Sequence, residues 1–341
     1  MFNTIRNAWR IPDLRKKLLY TLLIIVVFRF GSVIPAPFLD VSALSELMAE
    51  AGQNSALGYI NMLTGGAFSY ASLFAMGITP YINSFIIMQL MTIAIPPLEA
   101  LDKEGEEGRK KIATITRSVT VILGLIQGVA YYFYLRGSGI VEYTTGFGGV
   151  FVACVIVLTF TAGTALIMWM GEQINEKGVG NGISIILFAG IVSRGPSLLR
   201  TLWNLVQMGS QGVLSAVLMV IIGLAIVVFI VFMSNAERRI PVQYAKRVVG
   251  RKMYGGQSTH LPIKVNASGV MPIIFASSIL SLPQTVSMFW QPAAGTVGWH
   301  VLNLFSQSNP FYIIVYGLLI LAFAYFYASI QFNPIEISNN L

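Results

Sequence analysis

The sequence predicts an all-α polytopic membrane protein, and three observations carry that reading. First, apolar runs long enough to span a bilayer recur along the 341 residues. Second, only 11% of the residues are charged, while 55% are apolar and the mean hydropathy is +0.71. That polar surface cannot cover a water-soluble globule, and a disordered chain would be richer in charge and poorer in aromatics. Third, the basic residues concentrate in the segments on one side of the runs.

Eight spans are expected: Leu18–Ile34, Leu73–Ile95, Val119–Leu135, Val150–Met170, Ile183–Ser193, Gly212–Met233, Ala267–Phe289 and Pro310–Phe332. The fifth is short and reaches spanning length only by starting near Gly178. No small-residue cleavage site interrupts the first run, so no cleavable signal peptide is expected.

Charge orients the spans. With the N-terminus in the cytoplasm, Arg6, Arg10, Arg15, Lys16 and Lys17 precede span one, and Lys103, Arg109, Lys110, Lys111 and Arg117 follow span two. Lys177 follows span four. Arg238, Arg239, Lys246, Arg247, Arg251, Lys252 and Lys264 follow span six. These are 18 of the 22 Lys and Arg residues, and the others are Arg29, Arg136, Arg194 and Arg200. The asymmetry places both ends in the cytoplasm. It also accounts for the net charge of +8 without nucleic acid. Trp9, Trp169, Trp203, Trp290 and Trp299 are mostly placed for an interfacial belt.

Chemistry is sparse. Cys154 is the single cysteine, which excludes an internal disulfide and a cysteine metal cluster. His260 and His300 have no Cys or His partner at ligand spacing, so no metal or other cofactor is expected. The centres of the spans hold no Asp, Glu, Lys or His, which argues against a proton relay or a coupled small-solute transporter. Arg29 is expected to snorkel to the outer interface. Gly178-Val-Gly-Asn-Gly182 lacks the strand and Lys-Ser/Thr pair of a phosphate loop and reads as a turn opening span five. No Ser-His-Asp or Cys-His set is visible, and an enzyme is not expected.

Three features remain. Asn61–Leu73 (NMLTGGAFSYASL) is uncharged, small and too polar to span. It reads either as a surface or re-entrant loop or as a half-helix folded into a pore. Span two carries Pro80, which kinks it or limits its first turn, and Ile78, Ile82, Ile86 and Ile87 at helical spacing. Asn83, Gln89 and Thr92 fall near one face of it and could bond across a helix interface, with Asn266 as one partner. The loop 234–265 carries seven basic groups and one acid, Glu237. It reads as a lipid-headgroup surface or as a dock for a cytosolic partner, including ribosomal RNA, with Arg251–Gly256 as a turn tip.

At these residues the sequence resembles the SecY family, the central subunit of the bacterial Sec protein-translocation channel. The resemblance rests on Asn61–Ala67 (NMLTGGA), Gly77–Ile82 (GITPYI), Lys103–Lys111 (KEGEEGRKK), Gly171–Ser184 (GEQINEKGVGNGIS), Gln257–Asn266 (QSTHLPIKVN), Phe275–Ser278 (FASS) and Phe332-Asn-Pro334, in family order across the chain. It implies an inverted-repeat bundle with a short re-entrant plug helix. The N-terminal half would be residues 1–195. The C-terminal half, 212–341, is expected to be incomplete, with three spans against five, since the family has ten.

The resemblance also implies roles. Ile78, Ile82, Ile183, Leu187 and Ile274 would form a pore ring, Leu187 standing where the family usually has Ile. A narrow apolar ring dewets when closed and still deforms around a passing chain. Asn61, Met62, Leu63, Thr64, Gly65, Gly66, Ala67, Phe68, Ser69 and Tyr70 would form the plug. Asn83, Gln89, Thr92, Asn266 and Leu282 would line a lateral gate that releases signal and transmembrane segments. Arg238, Arg239, Lys246, Arg247, Arg251 and Lys252, with the loop Gly171–Gly182, would dock SecA or the ribosome. SecE-like and SecG-like subunits, nascent secretory chains and signal peptides, membrane lipids, and the bacterial cytoplasmic membrane complete the implied setting.

Overall fold

The computed structural model describes residues 9–51, 61, 64–242, 247–249, 252–254, 259–266, 268–289, 295–306 and 309–331. Their elements, in order, are α1 (Pro12–Gly31), α2 (Val41–Ala51), α3 (Thr79–Ala94), α4 (Pro96–Lys103), α5 (Glu106–Gly137), α6 (Gly146–Lys177), α7 (Gly182–Val192), α8 (Gly195–Gln207) and α9 (Ser210–Asn235). Then come β1 (Glu237–Val242), β2 (Arg247–Val249), β3 (Lys252–Tyr254), β4 (Thr259–Lys264), α10 (Met271–Phe289), α11 (Val297–Leu304) and α12 (Pro310–Gln331). The chain divides into two compact units, residues 1–196 with 278–313 and residues 197–277 with 314–341.

The expected eight spans are not all long and apolar enough. Among the described residues five stretches qualify: α5, α6, Gly182–Gln207, α9 and Pro310–Ser329. The pair α3 and α4 makes a sixth only if it is taken as one span, and it is bent by 99°. Ile95 causes that bend: it is extended (φ −112°, ψ 110°), as the residue before Pro96 must be. Without α4, the 16 residues of α3 reach only about 24 Å at 1.5 Å per residue. In α1, Asp13, Arg15, Lys16, Lys17 and Arg29 lie inside the helix and shorten its apolar stretch. In α10 the apolar part is Met271–Leu280, and Pro283 interrupts the remainder.

In the first unit α5 packs against α6 through small residues. Gly124 faces Thr164, and Gly128 faces Val157 and Thr161. The buried Thr116, Thr120, Thr161 and Thr164 each return their hydroxyl to the carbonyl four residues back, so these four hydroxyls are met within their own helices. Two apolar clusters make the core. One gathers Leu44, Phe68, Tyr131, Leu135, Ile156 and Phe160, and the other gathers Ile24, Phe28, Phe74, Ile167, Ile174 and Ile186.

In the second unit Phe275 is buried and meets Phe323 edge-on at 5.5 Å, joining the start of α10 to α12. The helix α9 leaves nearly all its large apolar side chains exposed, Phe232 at 70%. In a membrane such a surface meets lipid or another chain rather than water. The loop 234–265 carries the strands that an all-helical reading omits. β1 pairs antiparallel with β4 (Arg238 opposite Ile263), and β2 with β3 (Val249 opposite Lys252).

Candidate functional site

The first unit brings four of the expected ring residues together. Ile78, Ile82, Ile183 and Leu187 belong to one apolar cluster, built on α3 and α7 around Ile186, Ile167 and Phe74. Ile78 caps the start of α3 with Pro80 in its first turn, and Ile82 follows one turn on. Ile183 and Leu187 are likewise one turn apart on α7, which Asn181 caps by accepting from the Ser184 N–H at 3.1 Å. Glycine permits the approach of α6 to α7. A Cβ at Gly182 would lie 2.0 Å from the Gly171 carbonyl oxygen. Ile274 is half-buried in the second unit, on α10.

The segment 61–73 is seated on this cluster. Ala67 belongs to it, while Phe68 and Ala71 belong to the other core cluster. Residues 64–71 are successive turns and Ser72 bridges to Pro35, in place of the short helix expected there. Gly65 (φ 66°), Gly66 (φ 92°) and Ala71 (φ 42°) adopt left-handed backbone, which interrupts any helix. Met62 and Leu63 lie outside the described residues. The seat is specific. Tyr131 of α5 stacks on Phe68 with ring centroids 4.4 Å apart and donates its hydroxyl to the Phe68 carbonyl at 3.1 Å. Asn61 accepts from the Ser69 N–H at 3.1 Å. Ala36 donates to the Ala71 carbonyl at 2.9 Å, and Leu73 donates to the Ile34 carbonyl at 2.9 Å. Tyr70 is exposed.

Arg29 does more than reach the interface. Its Nη1 donates to the Gly65 carbonyl at 3.1 Å. Sequence spacing could not reveal a bond between residues 36 apart. The Arg117–Glu172 ion pair at 2.7 Å, joining α5 to α6, was equally unread.

On α3, Asn83 is buried at 5% exposure. The buried oxygens Oδ1 of Asn83 and Oε1 of Gln89 accept no hydrogen bond from the described residues. Thr92 spends its hydroxyl on the Met88 carbonyl at 2.7 Å. Two orphaned acceptors in an apolar helix are costly, by about 1–3 kcal/mol each, unless a partner meets them. Asn266 is exposed in a turn beyond β4, and Leu282 lies on α10.

The motif Gly171–Ser184 is pinned to α1. Tyr20 donates to Gln173 Oε1 at 3.1 Å, and the Val179 N–H donates to Thr21 Oγ1 at 3.2 Å. Asn175 Oδ1 accepts from the Gly182 N–H at 2.7 Å. Glu176 and Lys177 are left exposed. In the basic loop, Arg238 and Arg239 are exposed on β1, while Arg247 and Lys252 stand on β2 and β3. Of the expected turn Arg251–Gly256, the described residues Lys252–Tyr254 form β3, with Lys252 opposite Val249 of β2. Arg251 and Lys246 lie outside the described residues.

Comparison with known proteins gives one family. The SecY family profile matches residues 72–341. The chain is 43% identical to the protein translocase subunit SecY of Streptomyces scabiei over 350 aligned positions, covering 100% of this chain and 79% of the relative. It is 44% identical to SecY of Halalkalibacterium halodurans, again with 100% and 79% coverage. A solved protein-conducting channel shares its fold with a TM-score of 0.57 at 19% identity, over 80% of this chain and 58% of that one. A SecY structure described for a plug domain that stabilises the closed channel, and Sec61 in a canine ribosome–channel complex, each match with a TM-score of 0.56. The chain thus spans somewhat more than half the length of these solved channels.

Proposed function

The chain belongs to the SecY family of membrane channel proteins, and on that premise we propose that it is the protein-conducting subunit of a bacterial Sec translocon. It passes unfolded secretory polypeptides through the membrane and does no chemistry of its own. The observation that carries this reading is a shared apolar cluster. Ile78, Ile82, Ile183 and Leu187 pack together with Ala67 of the glycine-rich segment seated on them. A ring of aliphatic side chains excludes ions by dewetting and gives a passing chain no fixed bond. The segment 61–73 acts as the plug.

Ile274 joins the ring, and Asn266 and Leu282 the gate, on family resemblance alone. The unmet oxygens of Asn83 and Gln89 support a role for α3 at the lateral gate: they wait for a hydrogen-bonding partner that changes as the gate moves. The two halves, 1–195 and 212–341, would move about the connection after α7. The basic residues Arg238, Arg239, Lys246, Arg247, Arg251 and Lys252 would dock SecA or the ribosome, a reading supported by the exposed basic strand β1. SecE-like and SecG-like subunits would complete the complex in the bacterial cytoplasmic membrane, with both ends in the cytoplasm, a reading the charge asymmetry supports.

The test is import of an unfolded secretory precursor into proteoliposomes holding the complete complex and its ATPase. Protease-protected precursor is expected, and protection at the level of empty vesicles would refute the reading.

A further inference from the structure

The Gly65 carbonyl is approached from two sides. Arg29, in the last turn of α1, donates Nη1 to it at 3.1 Å. Ser193, which caps the end of α7, reaches it with Oγ at 3.4 Å. The two contacts are unequal. A serine hydroxyl has one hydrogen, and Ser193 Oγ is only 2.6 Å from the Gly190 carbonyl of its own helix. That hydrogen is committed to Gly190, so the bond to Gly65 falls to Arg29. A guanidinium bond to a carbonyl is charge-assisted and stronger than a neutral one.

The approach needs glycine on the segment. Gly65 has φ 66°, a conformation that L side chains rarely adopt. A Cβ there would also lie 2.7 Å from the Gly190 carbonyl oxygen and 2.9 Å from its Cα. The carbonyl of residue 65 is thereby presented to Arg29, with the backbone of α7 as a wall behind it. Thr64, the neighbour, is 4% exposed and packs against Gly77 just before the ring residue Ile78.

We propose that Arg29 is a latch: a positioning residue whose bond to the Gly65 carbonyl holds the plug in its seat. This rests on the plug reading of segment 61–73. When the plug leaves, Ser193 keeps its bond to Gly190, while Arg29 loses a charge-assisted acceptor. The resistance to opening is therefore concentrated at Arg29. Charge alone does not make the latch: a lysine at 29 keeps the cation and loses the fixed fork of donors.

The test uses the full chain in its native membrane complex, reconstituted in planar bilayers, with resting ion leak as one readout. The second readout is labelling of Thr64→Cys, in a Cys154→Ser background, by a membrane-impermeant maleimide. Arg29→Gln is expected to raise both by about tenfold, the loss of one charge-assisted bond at a partly exposed site. Ser193→Ala is expected to change either by less than about twofold. In a complex lacking residues 61–73, Arg29→Gln should add nothing further to the leak.

The latch is overturned if Arg29→Gln leaves leak and labelling at the parental values while the deletion raises the leak. It is also overturned if Arg29→Gln adds equally with and without the segment, or if Ser193→Ala matches it. Should Arg29→Gln fail to assemble, Arg29→Lys serves: labelling several-fold faster than the parent supports the latch, and labelling at the parental rate overturns it. A deletion that leaves the leak unchanged refutes the plug reading itself, so the two failures are distinguishable.

Discussion

Tyr131 and Phe68 are joined twice, by rings stacked at 4.4 Å and by a 3.1 Å hydrogen bond from the Tyr131 hydroxyl to the Phe68 carbonyl. Both side chains are fully buried. One residue of α5 thus fixes both the side chain and the backbone of the glycine-rich segment.

Replacing Tyr131 separates these contributions. Tyr131→Phe keeps the stack and leaves the buried Phe68 carbonyl without this donor, a loss of about 1–3 kcal/mol. Tyr131→Ala removes the ring as well and is expected to cost about 3–5 kcal/mol. Thermal unfolding of the purified complex measures both, and equal melting of the two variants would show that the stack contributes nothing.

Gly182→Ala is expected to disrupt the packing that supports the proposed ring. The added carbon would lie 2.0 Å from the Gly171 carbonyl oxygen, and backbone cannot yield as a flexible side chain does. Helices α6 and α7 must separate, which moves Ile183 and Leu187. The expected loss is about 1–3 kcal/mol, as for an overpacked core. A melting temperature equal to the parent's would contradict this packing.

Charge in the apolar ring should defeat dewetting. Ile82→Asp places a carboxylate among Ile78, Ile183 and Leu187, where it keeps water and ions in the constriction. Resting conductance is expected to rise by at least about tenfold, an effect that asks for only ~1.4 kcal/mol off the barrier. Ile82→Val should leave conductance near the parental value, and equal leak from both variants would sink the ring assignment.

The short helix α2 should loosen in acid. Asp40 precedes it, and its carboxylate accepts from the Ser42 hydroxyl and from the Ser42 and Ala43 N–H groups. The Ser42 hydroxyl first, and the Ala43 N–H second, hold its pKa below the ordinary 3.8. A lowered folded pKa means the cap is fully present above the ordinary carboxylate value and is lost as pH falls through the folded one. Amide exchange in 41–51 should therefore speed up below about pH 4 once corrected for its intrinsic pH dependence. Asp40→Ala should remove that step.

The sequence was most legible where one side chain reports its own environment. The family resemblance named Ile78, Ile82, Ile183 and Leu187 together, each pair one helical turn apart, and the fold gathers all four. Long apolar runs likewise located α6, α9 and α12, and the helices α6 and α9 extend past their runs into flanking residues. What hydropathy could not show was how charge and proline divide a run. Ile95 is as apolar as its neighbours, yet its extended backbone before Pro96 ends α3. The helix α5 extends back to Glu106 through a charged stretch, because its polar first turns lie outside the apolar run that hydropathy detects. The ribbon of β1 and β4 was missed because its residues, with Pro241 and Pro262 among them, lack an alternating apolar face. Contacts distant in sequence, such as Arg29 with Gly65, left no local signal at all.

The central claim is that a polypeptide passes between Ile78, Ile82, Ile183 and Leu187. A photo-crosslinker placed at Ile82, at Ile183 and, as a control, at the exposed Phe232 of α9 tests it in complexes holding a stalled secretory chain. Adducts at Ile82 and Ile183, with none at Phe232, are the expected result. Adducts absent from both ring positions, or as frequent at Phe232, would contradict it.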